Sequence, residues 1–275
     1  GFYILLRAFG LSAWLAGLGG IIWAFSSYFF ILIPAGHIWK FVTLAYIPPT
    51  IAGVVLAYRK KYLLGGVITA LFIALQIQSN HIQMSYYFMF VILFFIIAYF
   101  VDAYEKKELP HFFKASAILA LAAVVGVCVN ISNLYHTYEY SKETMRGKSE
   151  LKQEGPAANQ TSSGLDRDYI TNWSYGIGET LTLLVPNVKG GGCSTTLSQN
   201  ETAMAKANPM YGNLYSQLTP YFGDQPWTAG PVYVGAFVVF LFILGCFIVK
   251  GPLKWALLGA VSYTHLRAHE TRHDL

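Results

Sequence analysis

"YLLGGVITALFIALQIQSNHIQMSYYFMFVILFFIIAYFVDAYEKK", residues 62–107, holds two long apolar runs, about 62–79 and 85–103, separated by a polar bend. Each run has the length that a helix needs to cross a bilayer, roughly 17 to 25 residues. Arg59, Lys60 and Lys61 precede the first run, Lys106 and Lys107 follow the second, and the bend between them has neither Lys nor Arg. Short cytoplasmic loops carry the basic residues. The stretch therefore reads as a membrane hairpin whose bend faces outward. Inside hydrocarbon every backbone group must be satisfied within the chain, which for two such runs means helix.

Working outward, further apolar runs lie at about 11–33, 41–58, 115–134 and 231–250, with partial ones at 1–9 and from about 253 onward. Six complete spans are expected. Arg7, then Arg59 to Lys61, then Lys106, Lys107 and Lys114, then Lys250 and Lys254 fall in alternate connections, and the intervening short ones hold only Lys40. This alternation places residues 1–134 as about five spans plus a partial first. Residues 135–230 become an extracytoplasmic loop, and 231–261 a further span and the start of another. The expected fold is an all-α polytopic transmembrane bundle with one long outer loop. Lys60 and Lys107 are expected inside, and Asn159 outside.

Composition agrees. Hydrophobic residues make up 55% of the 275 positions and charged ones 12%, with a mean hydropathy of +0.44, where a soluble domain carries roughly 25% charge. The net charge of +5 comes from short clusters beside apolar runs, which fits membrane orientation and excludes a nucleic-acid surface. Cys128 and Cys246 fall in apolar runs, leaving Cys193 alone in the polar segment with no disulfide partner there. The chain opens mid-stream at "GFYILLRAFG" without an initiator Met, so it is expected to be an interior part of a longer protein.

At the other end "HETRH", residues 269–273, spells the H-E-x-x-H zinc signature, with His265 one turn further back. Its surroundings argue against a zinc protease. "GPLKWALLGAV" opens a span that gives way at once to "SYTHLRAHETRHDL", with three of the seven histidines, and hydrocarbon does not tolerate such a finish. The wording "SYTHLRAHET" resembles a translated sequencing-adapter read-through, so residues 262–275 are expected to be non-native and no metal site is assigned.

"AGHIWKFVTLAYIPP", "QIQSNHIQMSYY", "MRGKSEL", "SGLDRDYITNWSYGIGETLTLLVPN" and "YFGDQPWTAGPVYVGAFVVFLFILGCFIVKGPLKWALL" together resemble the bacterial YfhO-type multispanning membrane proteins in the form found in Bacteroidetes. The resemblance runs from Gly1 to about Val261. It implies a GT-C-like fold and transfer of sugar from a polyprenyl-phosphate-linked donor to a cell-envelope glycopolymer at the outer face. It also implies that the catalytic carboxylate stands in a loop upstream of Gly1. No cofactor is expected besides the lipid-linked donor.

Such chemistry needs cations or donors for a phosphate and polar or aromatic groups for a sugar. His37 and Lys40 stand at the outer end of one span, and Asn80, His81 and Gln83 at that of another. The plainer reading is that they are interfacial groups snorkelling to water. In the long loop, Asp166, Asp168 and Glu179 lie near Tyr169, Trp173 and Tyr175, which suits sugar binding, although the plainer reading of each is a solvated loop charge beside structural aromatics. Pro48 and Pro49 are expected to break or kink their span. A lipid-linked-sugar transporter or flippase, or an accessory membrane protein presenting its loop, fits the same residues.

Overall fold

The computed structural model describes residues 1–33, 35–143, 176–192, 196–224 and 232–270. Every regular element among them is helical. The first eight helices are α1 (Phe2–Ala8), α2 (Ala13–Ala24), α3 (Ser27–Leu32), α4 (Ile38–Tyr58), α5 (Tyr62–Gln78), α6 (Ile82–Glu105), α7 (Leu109–Cys128) and α8 (Ile131–Lys142). Two short helices follow, α9 (Glu201–Lys206) and α10 (Gly212–Tyr215), and then α11 (Ala236–Ile248) and α12 (Pro252–Glu270). The chain divides into two compact units, residues 1–148 with 249–262, and residues 149–248 with 263–275.

Four stretches are long and apolar enough to cross a membrane: Ala13–Leu32, Ile38–Tyr58, Ile82–Glu105 and Leu109–Cys128. α5 and α11 are apolar but shorter, at 17 and 13 residues. α5 nonetheless runs from one end of the bundle to the other. The end of α4 meets the start of α7 through Lys60 and Glu108, and Ser79, just past α5, meets Thr43 near the start of α4. The span expected at 115–134 lies instead at Leu109–Cys128. Lys114 fits within the helix because its amine lies 4.6 Å from the centre of the Tyr62 ring. The helix stops before Asn130, whose amide donates to the Ala74 carbonyl on α5.

Small residues set how closely the bundle packs. A Cβ on Gly53 of α4 would come within 2.8 Å of the Thr69 nitrogen, and one on Gly65 of α5 within 2.5 Å of the Ala57 nitrogen. Gly53 with Ala57, and Gly65 with Thr69, are pairs four residues apart, the spacing that lets membrane helices touch along their backbones. A Cβ on Gly126 of α7 would likewise meet the Ala70 carbonyl at 2.9 Å, so α5 is clasped on two sides. α4 is the central helix: 61% of its most apolar stretch is buried, against 17% for α6. The uncovered apolar side chains of α6, Met89, Leu93 and Ile97 among them, form a surface that only lipid or another apolar body satisfies.

The expected break at Pro48 and Pro49 does not appear: α4 runs unbroken through both. Polar bonds gather at the residue that follows them. Thr50 donates to the Tyr46 carbonyl at 2.9 Å, and the Gln76 amide donates to Thr50 at 2.6 Å.

In the second unit a 3-10 turn, Ile177–Leu183, is organised by Glu179. Backbone bonds from Phe222 to Lys189 and from Val234 to Leu183 tie it to later segments.

Candidate functional site

The bundle has two unlike ends. One carries Arg59, Lys60, Lys106 and Glu108. The other carries His37, Lys40, Ser79, Asn80 and His81, and is called here the histidine end. Its frame is the turn between α5 and α6, where Asn80 takes φ 57°, a left-handed conformation that asparagine tolerates better than most residues.

Beneath that turn lies a file of neutral polar groups between α4 and α5. The Thr43 and Ser79 hydroxyls are 2.5 Å apart, Ser79 donates to the Gln76 carbonyl at 2.6 Å, and the Gln76 amide donates to Thr50. All four residues are buried. Bonds of this kind inside a membrane bundle hold helices in register without burying charge.

Above the file sit the basic groups. The Lys40 amine lies 5.8 Å from the centre of the Tyr28 ring. No carboxylate pairs with it among the described residues. His81 is half-buried against the start of α6, and its pKa is pushed below the usual histidine value by burial first, then by the charges of Lys40 and His37. His37, Lys40 and His81 therefore share one electrostatic neighbourhood. His81 Nδ1 and the Ser85 hydroxyl, one turn further along α6, are shut from solvent with no hydrogen-bond partner among the described residues. A polar atom buried without a partner carries a desolvation cost that a bonded oxygen removes.

The other expected site residues separate from this cluster. Asn80 is exposed and its side-chain oxygen accepts from Asn133 at 3.2 Å, beside α8. Gln83 donates to the Tyr87 hydroxyl at 3.4 Å along its own helix. Asp166 and Asp168 lie outside the described residues, as does Cys193. Glu179 is described and fully buried. Its Oε1 accepts from the Tyr221 hydroxyl at 2.5 Å, and its Oε2 from the backbone nitrogens of Gly176 at 2.6 Å and Asp224 at 3.4 Å. A Cβ on Gly223 would strike that carboxylate. Both oxygens are occupied by the loop's own groups, so in this arrangement Glu179 holds the loop together and presents nothing to a sugar.

Sequence reasoning passed over Thr43, Thr50, Gln76, Ser79 and Ser85. Gln76 was the visible signal: an amide inside the apolar run "ALFIALQIQ" needs a partner at depth. Apolar helices that leave so much surface uncovered, joined through a buried polar seam, define a polytopic helical membrane protein. Compared with known protein families, with curated proteins and with solved structures, the chain matches none.

Proposed function

We propose that this chain is part of a bacterial inner-membrane protein that transfers sugar from a polyprenyl-phosphate-linked donor to a cell-envelope acceptor at the outer face. In this reading the histidine end holds the donor's phosphate. One observation carries it: Lys40, His37 and His81 gather where the membrane helices stop, and no carboxylate pairs with Lys40 among the described residues. Clustered basic groups repel one another, and an anion removes that cost. Lys40 supplies a compact charge, and His81 Nδ1 and the Ser85 hydroxyl, buried without a partner among the described residues, would bond a phosphate oxygen that displaced the groups covering them. Asn80 and Gln83 bond to Asn133 and Tyr87 and take no part in it.

The basic residues at the opposite end support the orientation, because they belong on the cytoplasmic side.

The test uses the full-length protein in proteoliposomes with a polyprenyl-phosphate-linked sugar at limiting concentration. A charge-assisted phosphate contact contributes about 2 to 3 kcal/mol, so Lys40→Ala should weaken donor use about 30- to 150-fold. Lys40→Arg should be milder, and membrane insertion unchanged. Full transfer by Lys40→Ala at limiting donor would reject the phosphate role.

A further inference from the structure

At the basic end two cavities meet within the bundle unit. The first, about 320 Å³, is polar and lies among the ends of α4 and α6, the start of α7 and residues 250–253. Its charged lining is Arg59, Lys106 and Lys250 against Asp102 and Glu108. Lys106 is satisfied by Asp102 at 2.7 Å, and Glu108 by Lys60 from outside the lining at 2.9 Å. Arg59 gives one nitrogen to the Ala8 carbonyl and pairs with no carboxylate among the described residues, and neither does Lys250. Two positive charges are left over. The floor is aromatic: the Tyr58 and Tyr99 rings stack with centres 4.4 Å apart, and Phe112 stacks on Tyr58.

The second cavity, about 390 Å³, runs along α6 beside the start of α12 and is lined by Phe94, Ile97, Val101 and Trp255, with Glu105 as its one charged member. Ala98, Gly251 and Pro252 line both cavities. A cationic chamber thus opens directly into an apolar groove on a lipid-facing helix. That is the shape of an anionic amphiphile: a negative head with an attached hydrocarbon chain. A soluble phosphate would use the chamber and leave the groove uncovered, and a neutral lipid would leave the two charges unmet.

We infer that the basic end is a binding site for an anionic phospholipid, its phosphate near Arg59 and Lys250 and an acyl chain in the groove against Trp255. His111 is not available to it, since one ring nitrogen lies 2.6 Å from the Tyr62 hydroxyl and the other 2.8 Å from the Tyr58 carbonyl. The site is independent of the phosphate role proposed for the opposite end. It anchors the connection before α12 to α6 through a lipid of the leaflet where basic residues belong.

Trp255 supplies the readout. The full-length protein is reconstituted into vesicles containing phosphatidylglycerol or phosphatidylcholine with brominated acyl chains, at equal mole fraction. Quenching of the Trp255 component is taken as wild type minus Trp255→Phe. Each unpaired cation near the head favours the anionic lipid about fivefold. Phosphatidylglycerol should therefore be preferred about 5- to 25-fold. Lys250→Gln should reduce that preference about fivefold, whereas Lys61→Gln, an exposed cation outside the cavity, should leave it unchanged. Equal quenching by the two lipids would overturn the inference. So would an equal fall in Lys61→Gln, which would mean general surface attraction. Displacement of the brominated lipid by equimolar glycerol phosphate would assign the chamber to a soluble anion instead.

Discussion

At one end of the bundle Lys60 meets Glu108 at 2.9 Å and Lys106 meets Asp102 at 2.7 Å. At the other, Lys40 has a tyrosine ring 5.8 Å away and two histidines for neighbours. The basic end pairs two of its cations with carboxylates in water. Glu108 is held below the usual carboxylate range by Lys60, which is raised in turn by Glu108, and both are exposed to solvent. Such pairs set little of the stability. The histidine end does the reverse: it buries neutral hydroxyls and an amide in a continuous file and leaves its cation uncompensated. Structure there is held by hydrogen bonds, and charge is left for something that arrives.

The largest expected effect strikes both ends together. Gly65→Leu drives a side chain into the Ala57 backbone, where even a Cβ would come within 2.5 Å. Overpacking of this kind costs about 3 kcal/mol. The thermal midpoint of the detergent-solubilised protein should fall sharply, and an unchanged midpoint would mean that the glycine seam does not couple the ends. A smaller change should separate them. Gln76→Leu removes the bond to Thr50, a loss of about 1 kcal/mol. Hydrogen exchange should quicken at residues 79–85 and stay as it was at 104–110. Equal loosening at both ends would erase the distinction between a hydrogen-bonded end and an ion-paired one.

How much of this was legible in the sequence follows from what each pattern encodes. Hydropathy reports the cost of placing a segment in lipid, so the helical membrane class could be read from the apolar runs alone, whereas of the six spans expected four stretches among the described residues are long and apolar enough to cross and those at α5 and α11 are shorter. Boundaries shifted where a side chain's reach mattered more than its charge: Lys114 sits inside α7 because its amine extends back over Tyr62. The unbroken course of α4 through Pro48 and Pro49 was not legible, because proline in a helix interior ordinarily breaks or kinks it and here the helix continues. Of the expected site, His37, Lys40 and His81 come together because two helix ends meet. Asn80 turns toward Asn133, a residue 53 positions later that local sequence does not connect with it. Glu179 looked like a solvated loop acid. Its burial depends on Tyr221 and Asp224, more than 40 residues downstream.

The smallest effect is a pH dependence that belongs to one end only. His81 has a folded-state pKa below its ordinary value near 6.5, through burial and the charges of Lys40 and His37. Between that lowered value and 6.5 the unfolded chain holds a proton on His81 that the folded chain does not. Stability rises with pH wherever the unfolded state binds more protons. The contribution is therefore complete above pH 6.5 and is lost as pH falls below it, levelling off beneath the folded value. The Lys60–Glu108 pair stays out of this window, since Glu108 titrates below 4.5 and Lys60 above 10.5. Comparing thermal midpoints at pH 7.5 and 5.5, at constant ionic strength, should show a fall in the wild type that His81→Gln reduces. An anion seated at Lys40 reverses the balance by favouring the protonated ring, so saturating polyprenyl phosphate should shrink the fall as well. An undiminished fall in His81→Gln would move the titration to another group, and with it the reason for treating the histidine end as open to an anion.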